Sequence, residues 1–539
     1  MSKTYRNRGI VLSEKGMCAA AHPSITLAGI QILKKGGNAM DAAIAMANVA
    51  GVILPEMCGL GGDTFIQYYD AKTKKITAIN GAGPTSKLAT LDYYKRLGMK
   101  NMPEEGIHAA SIPGAVAGYL CALEKFGTMP FSQLIEDACN IAEQGFPITY
   151  KIHQHMIRKE KLLRSYNVLK KHYLNNDELY EENAHITNHG YARTMRIIAK
   201  EGHKGFYEGE IGKAIVDTFK YEGGLLTASD LSDFQAEIIE PIQVDYRDYK
   251  VVQCPPVSQG IIHLIEMGIL NKFDMHKFNP YSAQGIHLMV EAKKLAFAQR
   301  ALYFGDPKYN NNPTSDILSN KELTKLANQI NMNKTKRVND LLSHTNAHTS
   351  SLVVVDKEGN AVTLITSLCG LWGCGIEIEN TGIILNNRAG YGFNLIENHP
   401  NCIGPNKRTM STLMSFMVTD INNNLRWIGN TPGGDNQPQW NMQTLVNLID
   451  YGYDVQTALE TPRWMDAQAS NIGRLEDNIL SIESTVGEDV IQKLKTLGHL
   501  VKVIEPLACS GAFQLIEVNG KLKKGGSDPR AEGCALSEI

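Results

Sequence analysis

Apolar positions change their period along the chain, and the changes mark out helices and strands. From Pro23 the spacing is helical through Ile32-Leu33-Lys34-Lys35, and Gly36 supplies a C-terminal stop. Asn38 opens a second helix, Ala39-Met40-Asp41-Ala42-Ala43-Ile44-Ala45-Met46, whose small residues predict close packing inside a layer. Ser111-Ile112-Pro113-Gly114 starts another, with Ser at the cap and Pro near the first turn, ending at Phe126-Gly127. Residues 133–144 and 283–303 also read as helices. Strand patterns fall at 65–69, 250–253 and 413–418. Helices and strands are grouped, so a simple doubly wound parallel sheet fits poorly.

A hairpin near the middle carries the chemistry. Leu352-Val353-Val354-Val355 runs into the turn signal Lys357-Glu358-Gly359-Asn360, and Ala361-Val362-Thr363-Leu364-Ile365-Thr366-Ser367 returns. If Asp356 faces Ala361, Thr349 lies opposite Leu368; one residue's change in loop length puts Ser367 opposite Thr349. Either register sets a second hydroxyl near Thr349. The stretch before it, Asn331-Met332-Asn333-Lys334-Thr335-Lys336-Arg337, is polar and reads as an exposed connection. Cut before Thr349, the chain gains an N-terminal threonine whose α-amine titrates near ~8 and can serve its own Oγ as base. The uncut chain has no such amine. It must first cleave itself, by attack of Thr349 Oγ on the carbonyl of His348.

Composition narrows the field. The 539 residues carry 54 basic and 56 acidic side chains, a net charge of −2, which gives no footprint for nucleic acid. No signal peptide follows the charged start, and no stretch has the apolar length to span a membrane. Ten scattered cysteines with no C-x-x-C suit a reduced, cytoplasmic chain. Cys369 and Cys374 read as packed thiols. His344 and His348 lack a third ligand, so no metal is expected. Phosphate-loop, dinucleotide and nucleophile-elbow motifs are absent, and no organic cofactor is expected. Trp372, Trp440 and Trp464 are assigned to the core, with Trp372 the best placed of them to line a pocket.

The hairpin run Thr349-Ser350-Ser351-Leu352-Val353-Val354-Val355-Asp356-Lys357-Glu358-Gly359-Asn360-Ala361-Val362 resembles the start of the small subunit of the γ-glutamyltransferases, self-processing N-terminal-nucleophile hydrolases. Gly36-Gly37-Asn38-Ala39-Met40-Asp41, Gly59-Leu60-Gly61-Gly62-Asp63 and Ser111-Ile112-Pro113-Gly114 look like its large-subunit motifs. Gly404-Pro405-Asn406-Lys407-Arg408, Thr431-Pro432-Gly433-Gly434 and Ser527-Asp528-Pro529-Arg530 fit the small-subunit half. The resemblance implies an α+β four-layer αββα sandwich. Residues 1–348 would form the large subunit and 349–539 the small one, intertwined as one domain. It implies Thr349 as nucleophile, Ser367 as the hydroxyl beside it, and Gly433 and Gly434 as a backbone oxyanion hole. Ser411 and Thr412 match a serine pair that holds the substrate carboxylate. The substrate would be a small-molecule amide, with water or an amine as acceptor; a homo-oligomer stays open.

The departures matter as much. Family members specific for γ-glutamyl groups clamp the α-carboxylate with a large-subunit arginine, but the matching stretch here, Ile79-Asn80-Gly81-Ala82-Gly83-Pro84-Thr85, has none. The aspartate that meets the α-ammonium falls at about Tyr391, and an asparagine near the nucleophile is replaced by Cys369. A zwitterionic head needs both charged partners, so altered acyl specificity is expected. Arg388, or else Arg408, is available to hold a carboxylate from a new direction. Three readings follow: an amide hydrolase or acyltransferase of altered specificity, a true glutathione hydrolase and transpeptidase, or a non-processing binding protein.

Overall fold

The computed structural model describes residues 7–336, 348–467 and 479–539, apart from the side chains of His348 and Ala467. The readings made above for His344 and for the connection beyond Lys336 lie outside these residues.

Two antiparallel seven-stranded sheets form the centre. The first runs Cys534–Ser537, Met17–Ala20, His348–Val355, Ala361–Cys369, Asp63–Asp70, Lys75–Gly81, Glu237–Ile239. The second runs Val11–Ser13, Leu522–Ser527, Gln514–Asn519, Leu425–Asn430, Phe416–Asp420, Tyr249–Gln253, Ile242–Tyr246. Side chains alternate across the hairpin strand. Val353 and Val355 point toward the second sheet and meet Met417, Ile428 and Ile516. Leu352 and Val354 point the other way, into a core shared with the helices Pro23–Lys34, Ala39–Ile53 and Ala115–Phe126. With both faces covered, the strand reads as a continuous apolar run. The helices Gly260–Leu270, Ala283–Tyr303 and Gln437–Ile449 cover the second sheet. The layer order is αββα, as expected.

The helix Ala39–Ile53 is buried along its whole length, which its alanines permit. Asn38 caps it in a capping box with Asp41. The helix Ala283–Tyr303 keeps its expected bounds.

Three elements differ from expectation. The helix after Pro113 begins at Ala115 with no side-chain cap, because the Ser111 hydroxyl donates to Asn386 instead. Residues 133–144 divide between the helices Phe131–Leu134 and Glu136–Gln144. The strand expected at 413–418 begins at Phe416, because the Leu413 main chain is engaged by the Ser258 and Ser411 hydroxyls. Trp372 is fully buried, edge-on to Tyr173, and lines no described pocket.

Candidate active site

The two central strands pair without interruption from Val355–Ala361 to Ser350–Thr366, and the next pair is His348–Cys369. One residue, Thr349, therefore faces two, Ser367 and Leu368. Both registers weighed from the sequence are present, one on each side of this bulge. Leu368 leaves the ladder and donates its N–H to the Met57 carbonyl. Cys369 takes a positive φ of 79° to rejoin it. Bulges re-aim side chains, and this one turns two hydroxyls toward each other. Thr349 Oγ1 donates to Ser367 Oγ at 3.3 Å, and the Cys369 N–H donates to the same Ser367 oxygen at 2.7 Å.

Thr349 opens on a cleft of about 430 Å³ that Gly433 also lines. Gly433 has φ 143° and Gly434 φ 57°, both in the region that favours glycine. A Cβ on Gly433 would run into the Trp440 ring. The carbonyls of this turn face away into the protein: Gly433 O accepts the Asn436 N–H at 3.0 Å, and Gly434 O accepts Gln259 Nε2 at 2.8 Å. His155 Nδ1 lies 3.1 Å from the buried carboxylate of Glu56, and both line the same cleft.

Beyond the glycine turn lies a smaller pocket of about 40 Å³, lined by Arg388, Tyr391, Thr412, Met410, Arg300 and Asp435. Gly433 lines the cleft and Asp435 lines the pocket, so the two adjoin at this turn. Arg300 holds Asp435 through two hydrogen bonds, at 2.6 and 3.1 Å. Arg388 is 2% exposed; its Nη1 donates to Thr412 Oγ1 at 3.0 Å, and its Nε stands 3.4 Å from Asp63 Oδ2. Among the described residues, Arg388 Nε and Nη2 make no hydrogen bond. Cys369 packs against Tyr391, so the position after the bulge touches the pocket wall. Burial pushes the Cys369 thiol up to about 11 against the pull of Arg388, so it stays a neutral thiol.

The structure thus brings Thr349, Ser367 and Gly433 to one place and Arg388 and Thr412 to the adjoining pocket. Ser411 is not among the pocket's lining residues; its hydroxyl accepts the Leu413 N–H at 3.2 Å. Arg408 is spent elsewhere, on the Ala82 carbonyl and on Glu237. Sequence reasoning passed over Asp63 and the Arg300–Asp435 pair. Asp63 closes the Gly59–Asp63 motif and Asp435 follows the glycine doublet, so both stood beside landmarks already in view.

A family model described as Gamma-glutamyltranspeptidase matches residues 26–537. The chain belongs to this family. It is 32% identical over 530 residues to the glutathione hydrolase-like YwrD proenzyme of Bacillus subtilis, covering 98% of this chain and 99% of that one. It is 28% identical to the oxamate amidohydrolase proenzyme of Klebsiella pneumoniae, covering 97% and 98%. The cephalosporin acylase of Bacillus halodurans superposes with a TM-score of 0.90 at 29% identity, covering 100% of this chain and 98% of that one. Family membership makes this a self-processing amide hydrolase of the N-terminal-nucleophile type. Among the described residues, no helix is long and apolar enough to cross a membrane.

Proposed function

We propose that the chain cuts itself between His348 and Thr349 and then hydrolyses a short, carboxylate-bearing amide through an acyl-Thr349 ester. The observation that carries this reading is the bulge, which pairs the Thr349 and Ser367 hydroxyls at 3.3 Å beside the Gly433 turn. In the first reaction Thr349 Oγ attacks the His348 carbonyl, the peptide becomes an ester, and water frees residues 1–348 from 349–539. In the second, the new α-amine takes the Oγ proton, Oγ attacks the amide carbon, and the amine returns that proton to the leaving nitrogen. Ser367 orients the nucleophile. The Gly433 and Gly434 N–H groups receive the oxyanion, a contribution of about 3–4 kcal/mol per donor in comparable sites.

The acyl group enters the Arg388 pocket. A buried guanidinium whose Nη2 makes no hydrogen bond among the described residues suits a carboxylate, and Thr412 adds a hydroxyl. The small volume favours a short acyl chain. The name of the oxamate relative, an amide bearing a carboxylate, agrees with this reading. Tyr391 in place of an acidic residue offers an α-ammonium no counter-ion, and Asp435 is held by Arg300. Assay of the processed protein with oxamate and with γ-glutamyl-p-nitroanilide tests the proposal. Release of oxalate and ammonia with little nitroaniline is expected; robust glutamate release would favour a glutathione hydrolase. A chain that never cuts would favour a binding protein.

A further inference from the structure

Asp63 lies directly across from Ser367 on the neighbouring strand, so the sheet carries nucleophile, partner hydroxyl and this carboxylate in three adjacent rows. It is completely buried. Its Oδ1 accepts the Gly83 N–H at 3.0 Å, while Oδ2 makes no hydrogen bond among the described residues and stands 3.4 Å from Arg388 Nε. The ion pair is therefore close but loosely bonded. Building on the carboxylate reading of the pocket above, we propose that Asp63 is its positioning residue: it neutralises Arg388 until substrate arrives and takes up a proton when a substrate carboxylate binds.

The reason is charge balance. One guanidinium and one carboxylate buried together are neutral. A second carboxylate brought against Arg388 leaves a net negative charge on groups that are buried, which is strongly unfavourable. Protonating Asp63 restores neutrality, and its unbonded Oδ2 is the free position for the proton. The other charged and titratable groups facing Asp63 do not substitute for it. Arg408 faces it but is engaged by Ala82 and Glu237. Tyr207 donates its hydroxyl to the Pro113 carbonyl and stays protonated, pushed up by burial. The Cys369 thiol is likewise neutral. Burial already pushes Asp63 up to about 6, against Arg388 and the Gly83 N–H, so little more is needed to protonate it near neutrality.

The test is calorimetric binding of oxalate to the processed wild-type protein at pH 6.8, in two buffers of different ionisation enthalpy. Net proton uptake, up to about one per bound oxalate, is expected from linkage. Asp63→Asn, which keeps an acceptor for the Gly83 N–H, should bind oxalate with most of that uptake lost. The Thr349 amine is present in wild type and variant alike, so the difference between the two proteins isolates the proton taken up by Asp63. A residue that only supports the fold would not change the proton count. Oxalate bound by the wild type without proton uptake overturns this inference and leaves the carboxylate reading standing. No oxalate binding at all overturns both. Absence of uptake by the wild type overturns the inference even if the variant does not fold.

Discussion

Thr349 Oγ1 points at Ser367 Oγ, 3.3 Å away, from the position where the two central strands slip register by one residue. That relationship ties processing and turnover to the same pair of hydroxyls. Thr349→Ala should leave one band at 59.4 kDa on a denaturing gel. The wild type should give 348/539 and 191/539 of that mass, or about 38 and 21 kDa. Two bands from the alanine variant would place the nucleophile elsewhere.

Ser367→Ala removes one neutral hydrogen bond to the nucleophile and strips the Cys369 N–H of its acceptor. Loss of about 1–2 kcal/mol of transition-state stabilisation corresponds to roughly 5–30-fold in rate, for cutting and for turnover alike. Ser367→Thr keeps the hydroxyl and should restore most of both. Processing time courses on the three proteins check this.

Gly433→Ala places a methyl group against the Trp440 ring at a positive φ. The turn must shift, and kcat should fall by roughly 10²–10³, the cost of a misplaced oxyanion donor. Trp440→Phe opens space at the clash but gives up the Nε1 bond to the Trp464 carbonyl. The double variant should therefore recover part of kcat while melting lower than wild type.

Arg388→Met removes the cation of the small pocket. KM for oxamate should rise by at least about a hundredfold, the loss of a charge-assisted pair worth about 3 kcal/mol. Self-cutting should persist, because the pocket lies beyond the glycine turn from the cleft. Equal KM values would remove Arg388 from substrate recognition.

Asp528 is buried between Arg463 and Arg530, and Arg530 also holds Glu483. Burial pushes the Asp528 carboxyl up, but the two arginines and the Arg530 N–H outweigh it and hold it below its ordinary value. Its contribution to stability is present above the unfolded value near 4 and is lost as pH falls through the folded one. Asp528→Asn should cost about 3–5 kcal/mol at pH 7, measured by denaturant unfolding, and flatten the stability curve below pH 4. Because Arg463 also donates to the Ser510 carbonyl beside the cleft, activity should fall with stability.

The hairpin was legible because its signals are local: a glycine turn, β-branched runs and a hydroxyl at each open end. Its exact register was not, because a bulge is set by what its residues meet. Leu368 turns away to Met57, over three hundred residues distant in sequence. The contact between Asp63 and Arg388 escaped for the same reason: Arg388 was named from its own stretch of chain, but the carboxylate it meets lies more than three hundred residues earlier. The glycine doublet could be assigned to the site from its motif, whereas the Trp440 ring that makes glycine obligatory there had to be seen in place. Ser411 and Thr412 looked alike as neighbours; the backbone between them sends one hydroxyl to its own loop and the other to Arg388.

Both sheets combine strands from before and after Thr349. Once the bond is cut, one molecule of native protein unfolds into two. Its return becomes second order in protein, and dilution lowers the melting temperature of the mature form but leaves that of the uncut chain unchanged. A denatured mature sample also lacks the linkage that folded it, so its survival rests on the height of the unfolding barrier. The strand order that sets the nucleophile in place thus makes maturation a step that the protein retraces only with difficulty.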